Sequence, residues 1–401
     1  MRSVLFIGCL YSDNQKDIFK KNSKRGYQFA AQNLQEALLE GFLRNNVNLK
    51  VLTIPSLSLY PMGYKKPYVE DADFIFKKNI IGKSIGYRNI VFLRKIHKKA
   101  LYNNIDNWYI STNGKKDIVV YGLHLNLMKI AISIKEKYSD VKLNIIIPDL
   151  PRFMGCNKYY KLLGLKEKAN KNIYRLVREF DSSVVLAEPM IRDLNMAHKP
   201  FTVVEGIYDL DVTSEESNKE NYKTILYTGN INEKYGILHL LDAFESIKEP
   251  NYRLWIRGNG NTKEEILKRN KKDSRITYFE PMNKEELLRL QKKATLLVNP
   301  VSSNQEFTRY FFPSKTMDYL ASGTPVLMYK LDCLPQEYYD YLYFIKGDSV
   351  KCLAEQIKQI CEKSPMELKE QGMRAKNFIR NQKNPQIQVK KIINLLDLCY
   401  E

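Results

Sequence analysis

The sequence predicts an α/β protein built from two doubly wound domains. Three observations carry this expectation. Short β-branched or apolar runs alternate with helical patterns, the alternation stops in a polar stretch near the middle of the chain, and it restarts beyond that stretch. At 401 residues, 44% of them hydrophobic, the chain is long enough to bury two ordinary cores.

In the first half the predicted strands cover 3–8, 48–53, 117–121, 142–147, 183–186 and 201–205. Predicted helices cover 27–44, 88–103, 126–138, 168–179 and 188–195. Residues 208–222 are polar and aperiodic, which predicts a linker between domains. Beyond it, strands are predicted at 224–228, 253–257, 275–279, 295–299, 325–329 and 341–345. Helices fit 236–247, 262–270, 283–292, 314–321, 349–362 and 366–380. The expected domains are therefore 1–207 and 223–380, with a C-terminal helix in 381–401 that returns to the N-terminal domain.

Composition narrows the class of protein. No stretch reaches the ~18 uninterrupted apolar residues that a membrane-spanning helix needs. The apolar start, Val4 to Leu10, runs into Tyr11-Ser12-Asp13 without a small-residue cleavage site, so it reads as a buried strand rather than a signal peptide. The six cysteines show no Cys-x-x-Cys spacing, which argues against a zinc site or a disulfide framework and fits a reducing cytoplasm. The net charge of +19 favours an anionic partner: nucleic acid, a membrane surface or a phosphorylated substrate. No zinc-finger spacing or aromatic RNA-binding motif is present, so nucleic acid is not the expected partner.

The chemistry is expected at strand-to-helix turns of the second domain. In residues 312–327, FPSKTMDYLASGTPVL, Ser314 reads as a helix N-cap and Gly323 as a helix stop. The N-terminus of such a helix suits a phosphate; Lys315 adds a charge there, and Asp318 is placed to accept from ribose hydroxyls. The alternative is an ordinary capped surface helix, which local pattern alone favours. Residues 227–236, YTGNINEKYG, shift that balance. They join the first strand of the domain to its first helix, at the sheet edge where ligands bind, and they bring Gly229, Lys234 and Gly236. Arg257 and Gly258 follow another strand in the same way. Three such turns in one domain predict one shared phosphate-bearing ligand.

Together these segments resemble the large retaining glycosyltransferase family of GT-B fold, family 4 or glycosyl transferases group 1, to which many bacterial polysaccharide enzymes belong. The likeness is clear over roughly 224–345 and weaker in the first half, where residues 145–151 and 203–206 match in style. It implies two Rossmann-like domains facing a central cleft, and a donor diphosphate bound by Gly229, Lys234 and Gly236. It also implies a sugar or lipid-linked sugar as acceptor and no cofactor beyond the nucleoside diphosphate sugar, which is a substrate. Where the family has an arginine after the first glycine, this chain has Asn230, and the loop is one residue short. The family's two glutamates, separated by seven residues, would fall on Tyr310 and Asp318. Tyr310 cannot do a carboxylate's work, so Glu306 is put forward for the transferred sugar. Asp149, at the end of a strand where the family often has a histidine or aspartate beside the reacting carbon, is assigned to acceptor or donor-sugar positioning, with a plain turn aspartate as the alternative. Arg25, Gly26 and His124 are assigned to the acceptor side.

Two Asp-x-Asp triplets, Asp71-Ala72-Asp73 and Asp209-Leu210-Asp211, lie away from buried strand ends and are read as solvated, so no metal is expected. The histidines His97, His124, His198 and His239 have no ligand spacing. Two basic stretches with aromatic residues, 83–99 and 158–168, suit an anionic membrane surface and predict a cytoplasmic protein peripheral to the membrane. The rivals are a GT-B-fold nucleotide-sugar epimerase and a basic nucleic-acid-binding protein. A Rossmann dehydrogenase is disfavoured, because no Gly-x-Gly-x-x-Gly turn follows the strand at 3–8.

Overall fold

Parallel strands dominate the computed structural model, whose described residues are 2–24, 29–90, 93, 95–154, 164–209 and 218–401. The chain divides into two units, Met1–Ile207 with Pro385–Glu401, and Tyr208–Asn384.

The first unit begins with β1 (Arg2–Gly8), α1 (Lys16–Asn22), α2 (Phe29–Arg44) and β2 (Asn48–Thr53). Short strands follow: β3 (Tyr68–Val69), β4 (Ala72–Phe76), β5 (Asn79–Ser84), β6 (Tyr87–Arg88) and β7 (Lys95–Ile96). Then come α3 (Lys98–Ser111), β8 (Lys115–Tyr121), α4 (Leu125–Lys137) and β9 (Lys142–Ile147). The half closes with α5 (Leu165–Leu176), β10 (Ser182–Val185), α6 (Pro189–Asp193) and β11 (Phe201–Val203). The main sheet runs β11-β10-β9-β8-β1-β2-β5-β4 and is parallel except for the edge strand β4. Strand order reverses at β1, whose neighbours are β8 and β2, so this sheet's switch point lies between β1 and β8.

Two features of this unit differ from the sequence expectation. The helix expected over 88–103 is replaced by β6, β7 and then α3. Ile85, Tyr87 and Asn89 are fully buried while Arg88 is exposed, and this period of two is a strand's, not a helix's. β3, β6 and β7 form a small antiparallel sheet of their own. The β4–β5 hairpin was also not foreseen. Its two-residue turn places Lys77 and Lys78 at φ 48° and 68°, a conformation that Asn-Gly ordinarily signals.

The second unit alternates more regularly. It contains β12 (Lys223–Asn230), α7 (Ile237–Ser246), β13 (Tyr252–Asn259), α8 (Lys263–Lys272), β14 (Ile276–Phe279) and α9 (Lys284–Lys293). There follow β15 (Leu296–Asn299), α10 (Lys315–Ser322), β16 (Val326–Met328), β17 (Tyr343–Phe344), α11 (Val350–Cys361) and α12 (Pro365–Gln382). The sheet is wholly parallel in the order β14-β13-β12-β15-β16-β17. Numbered within the unit this is 3-2-1-4-5-6, the order of dinucleotide-binding sheets, with the switch point between β12 and β15.

The last helix, α13 (Pro385–Leu398), packs on α2 in the first unit's core through Val389, Ile392 and Leu396, all fully buried. Gly41 of α2 permits this approach: a β-carbon there would stand 2.3 Å from both the Pro385 carbonyl oxygen and a Val389 methyl. Arg2, beside the buried Asp117 at 2.9 Å and bonded to Asp397, ties the same helix to β1 and β8.

Candidate functional site

At the second unit's switch point two loops leave the carboxyl ends of adjacent strands. The first, after β12, turns through Gly229 at φ 134° and Gly236 at φ 77°. Tyr227 donates from its hydroxyl to the Asn230 carbonyl at 2.5 Å, and the Asn230 side chain accepts from the Asn232 N–H at 2.9 Å. These bonds fold the loop back over its own strand. Gly236 is demanded twice over, by its φ and by the Pro300 carbonyl oxygen, which a β-carbon would meet at 2.1 Å.

The neighbouring turn after β13 locks onto this loop. Asn232 accepts from the Asn261 N–H at 2.8 Å, and Asn261 accepts from the Glu233 N–H at 3.1 Å. Gly258 lies so close that a β-carbon would stand 1.9 Å from the Gly229 carbonyl oxygen. Its requirement is therefore one of packing between two turns. Arg257 is half-buried and donates to the Met282 carbonyl at 2.9 Å.

The third turn brings Lys315. Its Nζ sits 4.1 Å from the centroid of the Tyr227 ring, and a β-carbon on Gly229 would lie 3.6 Å from it. No carboxylate or hydrogen-bond acceptor among the described residues pairs with it. Burial without a partner pushes its pKa down to about 7. The sheet edge thus presents a lysine that is only partly charged at neutral pH and that an anion would recharge. Tyr319 of the same helix anchors it, accepting from the Thr228 N–H at 2.7 Å and donating to the Thr228 carbonyl at 3.0 Å.

The expected cap is not formed. Ser314 has helical backbone angles and its side chain makes no capping bond, because Pro313 and Ser314 already accept from the Thr316 and Met317 N–H groups in a tight first turn. Its hydroxyl is left exposed beside Lys315. Asp318, one turn on, is half-buried, and burial pushes its carboxyl up to about 6 against the opposing pull of Lys284. Tyr208 lies close enough to Asp318 to feel its charge, and the Lys284 ammonium is 5.5 Å from the Tyr208 ring. Tyr208 and Lys284 were absent from the sequence reading. Tyr208 opens the polar run 208–222 that reads as a linker, and one lysine among many carries no local signal.

Lys234 is exposed, its Nζ 5.1 Å from the Tyr235 ring and 5.5 Å from that of Phe307. Phe307 belongs to the 3-10 turn Glu306–Arg309, so this contact sets the exposed Glu306 in the turn beside Lys234. Asn299, also missed, ends β15 with neither amide atom partnered although the residue is buried.

In the first unit, Asp149 is exposed just past β9, and partial desolvation raises its carboxyl above the ordinary value. His124 stands before α4, just past β8, with its ring against Gly122, which has φ 84°. β8 and β9 are paired, so His124 and Asp149 follow adjacent strand ends. Arg25 and Gly26 lie outside the described residues, as do 158–163 of the second basic stretch. In the first stretch Tyr87 is buried and donates to the Pro55 carbonyl at 2.6 Å, so it does not face a membrane as expected, and the exposed Lys83 pairs with Asp73.

Two doubly wound units with a ligand-ready edge define the GT-B architecture. Residues 211–384, nearly the whole of the second unit, match the family described as Glycosyl transferases group 1, and the chain is an enzyme of the glycosyltransferase class. Sucrose-phosphate synthase from Thermosynechococcus elongatus shares the fold at TM-score 0.62 and 12% identity, over 100% of this chain and 99% of that one. A TarM structure from S. aureus, in complex with fondaparinux, an α-GlcNAc-glycerol and UDP, aligns at TM-score 0.59 and 11% identity, over 98% and 100%. The catalytic domain of starch synthase IV from Arabidopsis thaliana, bound to ADP and acarbose, aligns at 0.59 and 8%, over 99% of both. No curated protein sequence matches the chain.

Proposed function

We propose that this glycosyltransferase moves a hexosyl group from a nucleoside diphosphate sugar to an acceptor hydroxyl, with retention, in polysaccharide or glycolipid synthesis. The observation that carries this reading is Lys315, a cation without a counter-ion at the switch point of a nucleotide-type sheet. UDP and ADP in two proteins of the same fold support a nucleoside diphosphate as its ligand.

In this reading Gly229, Asn230 and Gly236 supply the close backbone, with Gly258 holding the loop in place and Arg257 bracing the turn behind it. Lys315, Lys234 and the first turn of α10, with Ser314, take the diphosphate, and Asp318 takes the ribose hydroxyls. The bond from the anomeric carbon to the diphosphate oxygen breaks, and its electron pair leaves with the diphosphate. The acceptor oxygen bonds to the same face of the anomeric carbon, and its proton passes to the departing diphosphate oxygen. Stabilising the charge that develops there is the work of the lysines. Glu306 orients the transferred sugar. Asp149 and His124, with Arg25 and Gly26, serve the acceptor side.

No described helix is long and apolar enough to cross a membrane. On this reading the enzyme works in the cytoplasm, with its donor, and peripheral to the membrane, with a lipid-linked acceptor.

Thermal shift with UDP, ADP and GDP tests the donor reading, since a ligand that binds only the folded state raises Tm. A rise with at least one is expected, and release of free nucleoside diphosphate from its sugar only when an acceptor is added. Release without acceptor would favour the epimerase. No rise with any, together with salt-dependent binding of random DNA, would favour a nucleic-acid-binding protein.

A further inference from the structure

Lysines on this protein are commonly paired. In the first unit Lys83 meets Asp73, Lys77 meets Glu40 and Lys137 meets Asp106. One surface departs from this pattern. The segments 18–24 and 60–68 hold five lysines and no acidic residue.

The fold stitches these segments together. Ser23 and Tyr64 form an antiparallel bridge, the Lys24 N–H donates to the Gly63 carbonyl at 2.9 Å, and the Lys65 N–H donates to the Asn22 carbonyl at 2.9 Å. The Lys65 ammonium closes the same seam by donating to the Lys21 carbonyl at 3.0 Å. β3 then carries the surface on to β6, where Tyr68 stands directly across from Arg88. Lys20, Lys21, Lys24, Lys66 and Arg88 are all exposed, and none has a carboxylate partner among the described residues.

Apolar side chains rise among these cations. Met62 is 53% exposed, Tyr68 56% and Ile18 50%. Ile18 lies three residues before Lys21 on α1 and shares its face, while Phe19 of the same helix points into the core. A thioether, a phenol ring and a branched aliphatic group, each standing among free cations on one rigid surface, are what a lipid headgroup layer accommodates. The charges meet phosphates, and the apolar groups dip below them. Nucleic acid offers the phosphates but nothing for Ile18 and Met62 to enter.

We propose that the surface formed by the end of α1, residues 60–68 and β6 docks this protein on an anionic lipid bilayer. It is a different surface from the continuous stretch 83–99 that the sequence singles out, of which it keeps only Arg88. The proposal does not depend on the donor reading, and the two are measured separately.

The test is cosedimentation of the full chain with vesicles of phosphatidylcholine alone and of equimolar phosphatidylcholine and phosphatidylglycerol. Binding is expected to the anionic vesicles only, and to weaken with salt. Replacing four cations, Lys20→Gln, Lys21→Gln, Lys66→Gln and Arg88→Gln, removes attractions that compound across the surface, so the partition coefficient should fall at least about tenfold. Met62→Ser with Tyr68→Ser, read separately, should remove the part of the binding that survives high salt. Lys268→Gln, Lys271→Gln and Lys272→Gln on α8 remove charge from the other unit and should leave partition unchanged. Nucleotide-induced thermal shifts should be unaltered in every variant, which also reports that each is folded. No binding to anionic vesicles overturns the proposal. So does equal loss in the α8 variant, which would show a general charge effect, or binding to duplex DNA alone that the four-cation variant abolishes.

Discussion

The carboxyl edges of the two sheets handle their polar groups in opposite ways. After β1 in the first unit, the backbone that leaves the sheet is gripped from within. Gln32 of α2 accepts from the Tyr11 N–H at 2.8 Å and donates back to the Tyr11 carbonyl at 3.1 Å, and Gln35 accepts from the Cys9 N–H at 3.0 Å. That edge is satisfied by its own helix. After β12 in the second unit the backbone turns through two glycines at positive φ and meets an unpaired lysine. A half-buried cation without a partner among the described residues is unfavourable, and an anion at that edge relieves it. On the proposed reading, the contrast means that the second unit holds one charged ligand at its switch point, while the first offers individual side chains, His124 and Asp149.

The largest expected effects follow from that division of labour. Asp149→Asn and Glu306→Gln should each lower kcat by about 10²-fold, the cost of misplacing a reacting group, while leaving the nucleoside diphosphate Kd within twofold. Calorimetric titration beside initial-rate kinetics reads both. Loss of nucleotide affinity in Asp149→Asn would break the comparison, because it would give the first unit a share of the donor site.

Next in size is a pair of glycine substitutions. Gly236→Ala must adopt φ 77° and also displace the Pro300 carbonyl, so it should cost about 2–5 kcal/mol, left-handed strain and overpacking together. Gly164, in the first unit, has φ 63° with nothing within 4 Å of a β-carbon. Gly164→Ala should cost only about 1–2 kcal/mol. Denaturant unfolding of each variant measures the difference, and equal losses would mean that the β12 loop yields more than its contacts suggest.

How these features stood in the sequence is uneven, for physical reasons. β9 falls on 142–147 as expected, because a strand buried on both faces is a nearly continuous apolar run, and β2 falls on 48–53, where the exposed Asn48 and Lys50 alternate with the buried Leu49 and Val51. The β4–β5 hairpin was hidden because its turn is Lys77-Lys78, where fold context imposes positive φ on residues that give no turn signal. The turns at Gly229 and Gly236 were legible because glycine at a strand-to-helix turn commonly marks a positive φ, which both residues adopt. Tyr208 and Lys284 beside Asp318 were not, since their meeting depends on packing between segments far apart in the chain. The packing constraint on Gly258 was hidden for the same reason: it comes from a neighbouring turn's carbonyl.

Lys315→Ala should weaken nucleoside diphosphate binding by about 1.5–3 kcal/mol, the loss of one charged hydrogen bond. The pH dependence sharpens this. With its pKa pushed down to about 7 in the empty protein, Lys315 must take up a proton to meet a diphosphate, so affinity should fall as pH rises above about 7. In the empty protein the sign of the stability effect is reversed. The unfolded chain holds this proton up to the ordinary lysine range, near 10.5, and the folded protein releases it from about 7. Stability should therefore rise with pH across that window, and Lys315→Met should flatten the rise. Titration calorimetry in buffers of different ionisation enthalpy reads the proton uptake, and its absence would place the diphosphate elsewhere.

The smallest expected effect is none, and it concerns metal. A transferase that neutralises its leaving diphosphate with a divalent cation needs carboxylates free to hold it. Asp71 accepts from the Gly86 N–H at 2.6 Å and faces His97 at 3.1 Å. Asp73 is paired with Lys83. This triplet is thus spent on holding β4, β5 and the approach to α3 together. In the other triplet Asp211 lies outside the described residues. Among the described residues no three of His, Cys, Asp and Glu gather into a metal-holding group. Lys315, Lys234 and the first turn of α10 already bring positive charge to the edge where a diphosphate would leave. EDTA should accordingly leave the transfer rate unchanged, and magnesium or manganese should not raise it. Loss of activity in EDTA that manganese restores would mean that a cation shares the work assigned to Lys315, and Lys315→Ala assayed with and without manganese would then show how that work is divided.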